Sequence, residues 1–469
     1  MSVYSFILVQ KCTSKLFGFI VLSVCFCAFS LAAVTQSSYK SFPGQEAPHD
    51  VARKRVPDAA QKTVRVVSVP SKEPFLLGCE VVTPALLYTA AGKTRNKNSL
   101  TIGLITNQTG KDQRGRRTLD VLRKKGVMIA RIFVPEHGLA GTVKASKDVL
   151  DSVDEKTGIP IISLFGNGSG KALDAAHLND LDLLVFELQD SGMRHYTYIS
   201  TLFLVMQAAA QHDKPLMILD RPNPLKHPME GPLVEPELHS FISIASVPVR
   251  HGMTMGELAR YFNTHLFEKK VNLHVVAMRH YNRLQGLPGK LPAQLSPHLQ
   301  SKEACYGYSF LGLLGEIKPF DMGLGTEYAM RCLALPETVR LSHTFWADLA
   351  QRLKKIGVHS KPLSFYSPRK KLHCSGLLFA LSNPALFSSF QTLVTIMTFM
   401  HKSGVPLVFS AAFDKAAGTA KLREYVQGDI SRAVLARQVN EQLHQFYTDA
   451  KASFLYAPAP KIVLFSDKA

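Results

Sequence analysis

Strand-like apolar runs that take turns with helical ones predict an α/β fold, a Rossmann-like doubly wound parallel sheet with a smaller C-terminal α/β domain. Two further features agree. Several runs are continuously apolar, as strands buried on both faces must be. Four of them end directly on ionisable or hydrogen-bonding residues, where an open parallel sheet places its ligand crevice.

Taken in order, the chain begins with Lys11 and Lys15 ahead of an apolar run from Leu16 to Ala33, which reads as a signal peptide over residues 1–33 and predicts export to the periplasm or cell envelope. Small residues at Ala28 and Ser30, or at Ala32 and Ala33, offer cleavage points. Leu22-Ser23-Val24-Cys25 loosely resembles a lipobox, so a membrane enters only if the leader is retained or lipidated. Residues 34–75 are polar and lack an apolar period, as a flexible linker does. A Rossmann-like catalytic domain is expected over 76–335. Its strands are Leu100 to Thr106, Val127 to Val134, Pro160 to Leu164, Leu181 to Leu188 and Pro215 to Asp220. Helices fall between them, from Thr118 to Lys125 before Gly126 and from about Tyr198 to His212. Thr254 and Glu257 have capping-box spacing and start a further helix, with His251 just before it. A C-terminal α/β auxiliary domain is expected over 336–469, with helices near Thr344 to Lys355 and Leu386 to His401, a strand near Ser375 to Ser382, a polar turn at Phe413 to Thr419 and helical sequence beyond it.

The 469 residues, 46% hydrophobic, suffice for a large core. A formal charge of +19 attracts anionic surfaces, but the 55 basic residues are scattered and no zinc-knuckle, helix-turn-helix or RNA-binding aromatic signature accompanies them, so no nucleic-acid partner is expected. The cysteines past the leader, Cys79, Cys305, Cys332 and Cys374, show no CxxC spacing. They are either buried thiols or, in an oxidising compartment, disulfide partners, with Cys305 and Cys332 nearest in sequence. No GxGxxG follows the first strand, which argues against a dinucleotide. The stretch Gly166 to Ala172 imitates a phosphate loop but is one residue short and has Ala172 in place of the hydroxyl, so it is read as a loop. His137, His195 and His251 lack i, i+4 ligand spacing. No cofactor and no metal are expected.

The chemistry gathers at the strand ends. Glu136 follows Phe133-Val134-Pro135, whose apolar bulk would strip water from a carboxyl serving as general acid; the alternative is a helix cap or an arginine partner. Asp190 follows the fourth strand, where Gln189 and Arg194 can orient it as base, nucleophile or electrostatic stabiliser. Arg194 can equally grip a substrate carboxylate. Tyr196 and Tyr198 offer ring faces for a sugar, and Glu187, inside the strand, is read as a buried, satisfied carboxylate. Asp220, Arg221 and Asn223 leave the last strand through a turn stiffened by Pro222 and Pro224, and Asn107 leaves the first. Paired carboxylates of this kind suit glycosidic bond cleavage.

At these residues the chain resembles the NamZ-type exo-β-N-acetylmuramidases, peptidoglycan-recycling glycosidases. The matching pieces are Gly103 to Gly110, Pro135 to Gly138, Gln189-Asp190 with Arg194 and Tyr196 to Tyr198, Leu219 to Pro224, Glu230 to Pro232, Arg250 to Thr254, and Phe413 to Thr419. The resemblance implies release of N-acetylmuramic acid from the non-reducing end of peptidoglycan fragments, with muramyl saccharides as substrates. Glu136 and Asp190 are the implied catalytic residues, and Asn107, His137, Arg194, Tyr196, Tyr198, Asp220, Arg221, Asn223, His251 and Glu316 the substrate-binding candidates. Arg194 or Arg221 would suit the lactyl carboxylate of muramic acid. One segment departs from the family pattern. Glu316 and Gly325-Thr326 keep it, but Met322 and Leu324 stand where an acid and an arginine are expected, on what is read as a substrate-facing loop. The alternative function is therefore a non-catalytic envelope glycan-binding protein derived from the family.

Overall fold

A computed structural model describes residues 73–94, 99–289, 291, 293–381 and 387–467. The leader, and the linker up to residue 72, lie outside the described residues. Pro70–Ala469 forms one compact unit.

Its centre is a seven-stranded sheet of β1 (Thr101–Ile105), β2 (Met128–Val134), β3 (Ser152–Val153), β4 (Pro160–Ser163), β5 (Leu183–Phe186), β6 (Leu216–Leu219) and β7 (Leu273–Val276). The spatial order is β7-β6-β5-β1-β2-β4-β3, and every pairing is parallel except β3 with β4. From β1 the chain first winds outward through β2 and β4. It then returns to β5 on the other side of β1 and winds outward again. The direction reverses between β1 and β5, and an open sheet keeps its binding crevice beyond the carboxyl ends at such a switch point.

The residues of β5 and β6 are fully buried, and their two-residue period feeds two cores. Leu184, Phe186, Leu216 and Ile218 join one apolar cluster, with helices Tyr198–Gln211 and Met255–His265. Leu183, Val185, Met217 and Leu219 join another, with helices Pro84–Ala90 and Thr118–Lys124. At about 25 cal/mol per Å² of apolar surface removed from water, these two layers are the main stabilising contribution. Gly103 lets the sheet close up, because a Cβ there would stand 2.7 Å from Leu181 and Phe133 side-chain atoms.

The first cluster runs on without a break into the C-terminal part. There β8 (Cys332–Pro336), β9 (Val358–Ser367) and β10 (Leu372–Leu381) make an antiparallel sheet in the order β8-β10-β9, backed by helices Phe345–Lys354 and Ser389–Lys402. Two local expectations change. Phe413–Ala417 is a helix ended by Gly418 at φ +80°, not a turn. The phosphate-loop imitation is a tight hairpin, Phe165–Gly166 against Ser169–Gly170, turning through Asn167 and Gly168 at positive φ. Cys79, Cys305, Cys332 and Cys374 are buried free thiols, so Cys305 and Cys332 are not joined. Among the described residues no helix is long and apolar enough to cross a membrane.

Candidate active site

Glu136 leaves β2, one strand from the switch point, through a turn in which His137 (φ +76°) and Gly138 (φ +73°) are both left-handed. A non-glycine residue held there costs of order 1 kcal/mol, and the turn fixes it by bonding the His137 ring Nδ1 to the Val143 carbonyl at 2.7 Å. Glu136 is 8% exposed. Its Oε1 accepts from the Ser146 backbone N–H at 2.8 Å and its Oε2 from the Thr197 hydroxyl at 2.8 Å. Thr197 sits at the N-terminus of helix Tyr198–Gln211 without capping it, because its hydroxyl is turned to Glu136 instead.

Asp190 lies beyond β5. Its Oδ2 accepts from the Gly192 N–H at 2.6 Å and pairs with His251 Nε2 at 3.1 Å, while Oδ1 is buried with no partner. Gly192 is required, since at φ +90° a Cβ would meet Asn223 Oδ1 at 2.5 Å. The Met253 N–H donates to His251 Nδ1 at 3.2 Å, so the ring proton sits on Nε2 and points at Asp190.

The Tyr198 hydroxyl lies 3.5 Å from the Glu136 carbonyl, with Tyr196 beside it. The Tyr196 and Tyr198 rings are 4.6 Å apart, and both hydroxyls reach the Leu295 carbonyl, at 2.7 and 3.3 Å. Asn107, from the end of β1, donates to the Tyr198 hydroxyl at 2.7 Å and accepts from the Thr109 N–H and hydroxyl. Gln108 donates to the Gln294 and Leu295 carbonyls, so the segment around 294–299 is strapped across the pair. Tyr308, on helix Lys302–Leu311, carried no sequence signal. Its ring packs on His195 at 4.7 Å, and burial raises its hydroxyl well above the phenol range, helped by the negative charges of Glu136, Asp190 and Glu316. It stays neutral, and its hydroxyl donates to the His195 carbonyl at 3.3 Å. Burial, then the charge of Arg194, pushes His195 down to about 3, so that ring is neutral. Glu316 is held by the Ser410 hydroxyl at 2.6 Å.

Other expected site residues are committed elsewhere. Arg194 is fully buried, and its five N–H donors go to Ser243 Oγ and the carbonyls of Pro232, Val247, Ala416 and Ala417, which leaves none for a substrate carboxylate. Arg221 pairs with buried Glu187 at 2.5 Å and donates to Gln189 and to the Lys111 carbonyl. Asp220 accepts from Arg221 N–H, Gly256 N–H, the Thr254 hydroxyl and the Tyr456 hydroxyl, tying the start of helix Met255–His265 and the C-terminal tail to β6. Asn223 closes its own turn through Leu225 N–H and the Met253 carbonyl. His251, fully buried against Asp190, orients that carboxylate rather than facing a ligand. These groups were assigned by place in sequence, but their partners are distant in the chain. The 322–324 segment is corrected likewise, since Met322 is fully buried and Leu324 packs on the core.

The model of the exo-β-N-acetylmuramidase NamZ N-terminal domain matches residues 102–303, and that of its C-terminal domain residues 306–456. A curated relative, peptidoglycan β-N-acetylmuramidase NamZ of Bacillus subtilis, is 31% identical over 377 residues, 76% of this chain and 86% of the relative. Two crystal structures of DUF1343 family proteins from Bacteroides fragilis share the fold. One has a TM-score of 0.69 at 28% identity and covers 81% of this chain and 99% of its own; the other has 0.64 at 25%, covering 82% and 99%. The chain belongs to the NamZ exo-β-N-acetylmuramidase family.

Proposed function

We propose that this protein is an exo-acting glycosidase that releases N-acetylmuramic acid from the non-reducing end of peptidoglycan fragments, in cell-wall turnover. One observation carries the reading. Glu136 and Asp190 leave the two strands that flank β1, at the switch point of the sheet; one carboxylate is held by Ser146 and Thr197, and the other keeps an oxygen without a partner. In this mechanism Glu136 protonates the departing glycosidic oxygen, and the free Oδ1 of Asp190 faces the positive charge that grows at the anomeric carbon. The 2-acetamido group of the substrate is an alternative internal nucleophile, in which case Asp190 orients and stabilises it.

The apolar stretch from Leu16 to Ala33 behind two lysines supports an exported protein working in the periplasm or envelope, where muramyl saccharides are found. A second reading, a glycan-binding descendant without turnover, draws on the sequence alone, in which Met322 and Leu324 replace the acid and the arginine of the family pattern.

A chromogenic N-acetylmuramide and its N-acetylglucosamine counterpart, each incubated with the wild-type protein and with Glu136→Gln, decide between them. Release from the muramide alone, abolished in the variant, is expected. Equal release by both proteins removes Glu136 from the mechanism, and sugar binding without release favours the second reading.

A further inference from the structure

Thr197 holds the position just before helix Tyr198–Gln211, where a threonine hydroxyl ordinarily accepts from a backbone N–H of the first turn. It makes no such bond. The hydroxyl instead crosses 61 residues of sequence and donates to Glu136 Oε2 at 2.8 Å. Its neighbours keep it there. Tyr196 on one side donates to the Leu295 carbonyl at 2.7 Å, Tyr198 on the other receives the Asn107 amide at 2.7 Å, and the Thr197 carbonyl accepts from the Thr201 N–H at 2.9 Å and hydroxyl at 3.3 Å. In the run from Ser191 to Leu202 every residue is buried except Thr197, which is partly exposed, so the pair it forms with Glu136 lies where a ligand can reach.

The two oxygens of Glu136 are not equivalent. Oε1 accepts from the Ser146 backbone N–H at 2.8 Å, and an amide N–H can only donate, so that oxygen stays an acceptor whether or not the acid is protonated. The proton of the acid therefore belongs on Oε2. Thr197 occupies one lone-pair direction of that oxygen and leaves the other for the proton.

We propose that Thr197 is a positioning residue that fixes the direction in which Glu136 hands over its proton, an assignment that rests on the glycosidase reading above. In that step the O–H bond at Oε2 breaks as a new one forms on the glycosidic oxygen, which leaves as an alcohol with the electron pair of its broken bond to the anomeric carbon. Glu136 is left a carboxylate. The Thr197 hydroxyl and the Ser146 N–H then donate to a full negative charge, a stronger pairing than either makes with the neutral acid. The bond from Thr197 matters most where the departing group most needs the proton.

Turnover of two muramides by the full chain separates this role from a structural one. A sugar alcohol, as in a disaccharide of N-acetylmuramic acid and N-acetylglucosamine, needs the proton to depart, whereas a nitrophenolate is a stable anion and needs it much less. Thr197→Val keeps the shape of the side chain and should lower kcat about thirtyfold on the disaccharide and about threefold on the nitrophenyl muramide, per folded molecule and at nearly constant KM. Thr197→Ser restores the donor and should bring both rates to within about twofold of the wild type. Equal losses on the two substrates, no loss in Thr197→Val, or a serine variant as slow as the valine one overturns the role of Thr197 and leaves that of Glu136 standing. A wild-type protein that releases nothing from either substrate removes the glycosidase reading, and the assignment of Thr197 falls with it.

Discussion

The carboxyl ends of β5 and β6 carry the same sequence signature, an apolar strand running into an aspartate, and the structure puts them to opposite uses. Asp220 beyond β6 is fully buried and accepts four hydrogen bonds, two on each oxygen. It is part of the scaffold. Asp190 beyond β5 is almost as buried, yet both of its bonds fall on Oδ2, and Oδ1 is left with none. A buried carboxylate oxygen without a partner costs roughly 1 to 3 kcal/mol, a cost that a substrate-facing group can recover on binding. Arg194 makes the same point, because a guanidinium with every donor engaged has nothing to offer a ligand. For these two aspartates, unspent hydrogen-bonding capacity, rather than position after a strand, is what differs.

The largest expected effect sharpens that contrast. Glu136→Gln should lower kcat on a muramide by about a thousandfold, as loss of a general acid does, with a melting curve that overlays the wild type. The mirror image belongs to Asp220→Ala. Four donors lose their acceptor, so urea unfolding should show a loss of about 3 kcal/mol, while turnover per folded molecule stays near wild type. The contrast breaks if Asp220→Ala keeps its stability and loses turnover.

Asp220 also leaves a signature in pH. Burial raises its carboxyl from the ordinary 3.8 to about 6, against the pull of the Tyr456 and Thr254 hydrogen bonds. Between those values the folded state holds the proton that the unfolded state has released, so stability falls as pH rises. The contribution is complete below about 3.8 and is lost as pH passes 6. Unfolding free energies measured from pH 4 to 7 should therefore decline in the wild type relative to Asp220→Asn, by up to about 3 kcal/mol. Parallel curves for the two proteins would show that this aspartate carries no such linkage.

How far the sequence reveals all this depends on the range of the interactions. The strands of the sheet and the helix capped by Thr254 and Glu257 are legible because two-residue alternation and caps are local, and both capping-box bonds form. The strand Val358–Ser367 escapes because it is an edge, paired only with β10, and carries exposed polar residues and Pro362 where an interior strand would be apolar. Glu136 and Asp190 are legible as strand-end acids. What becomes of Arg194 is not, since two of its acceptors lie 222 and 223 residues along the chain. Tyr308 likewise joins the site only through the packing of helix Lys302–Leu311. That packing depends on Gly307, where a Cβ would stand 1.7 Å from the Met330 carbonyl oxygen.

The smallest effect tests the side of the comparison on which the site depends. His251 touches Asp190 but is fully buried, so it acts through that carboxylate as a positioning residue. The Met253 N–H occupies Nδ1 and forces the proton onto Nε2, aimed at Oδ2. With Gly192 N–H, this sets the plane of the carboxylate and leaves Oδ1 without a partner. His251→Phe removes one of those two donors and lets the carboxylate swing, which should cost about tenfold in kcat at nearly constant KM. His251→Gln can reproduce both bonds, an amide N–H to Asp190 and an amide oxygen for the Met253 N–H, and should restore most of the rate. A loss of melting temperature shared by both variants, with kcat per folded molecule intact, would place His251 with Asp220 in the frame. Rescue by glutamine alone would tie the unpartnered oxygen of Asp190 to the donor behind it.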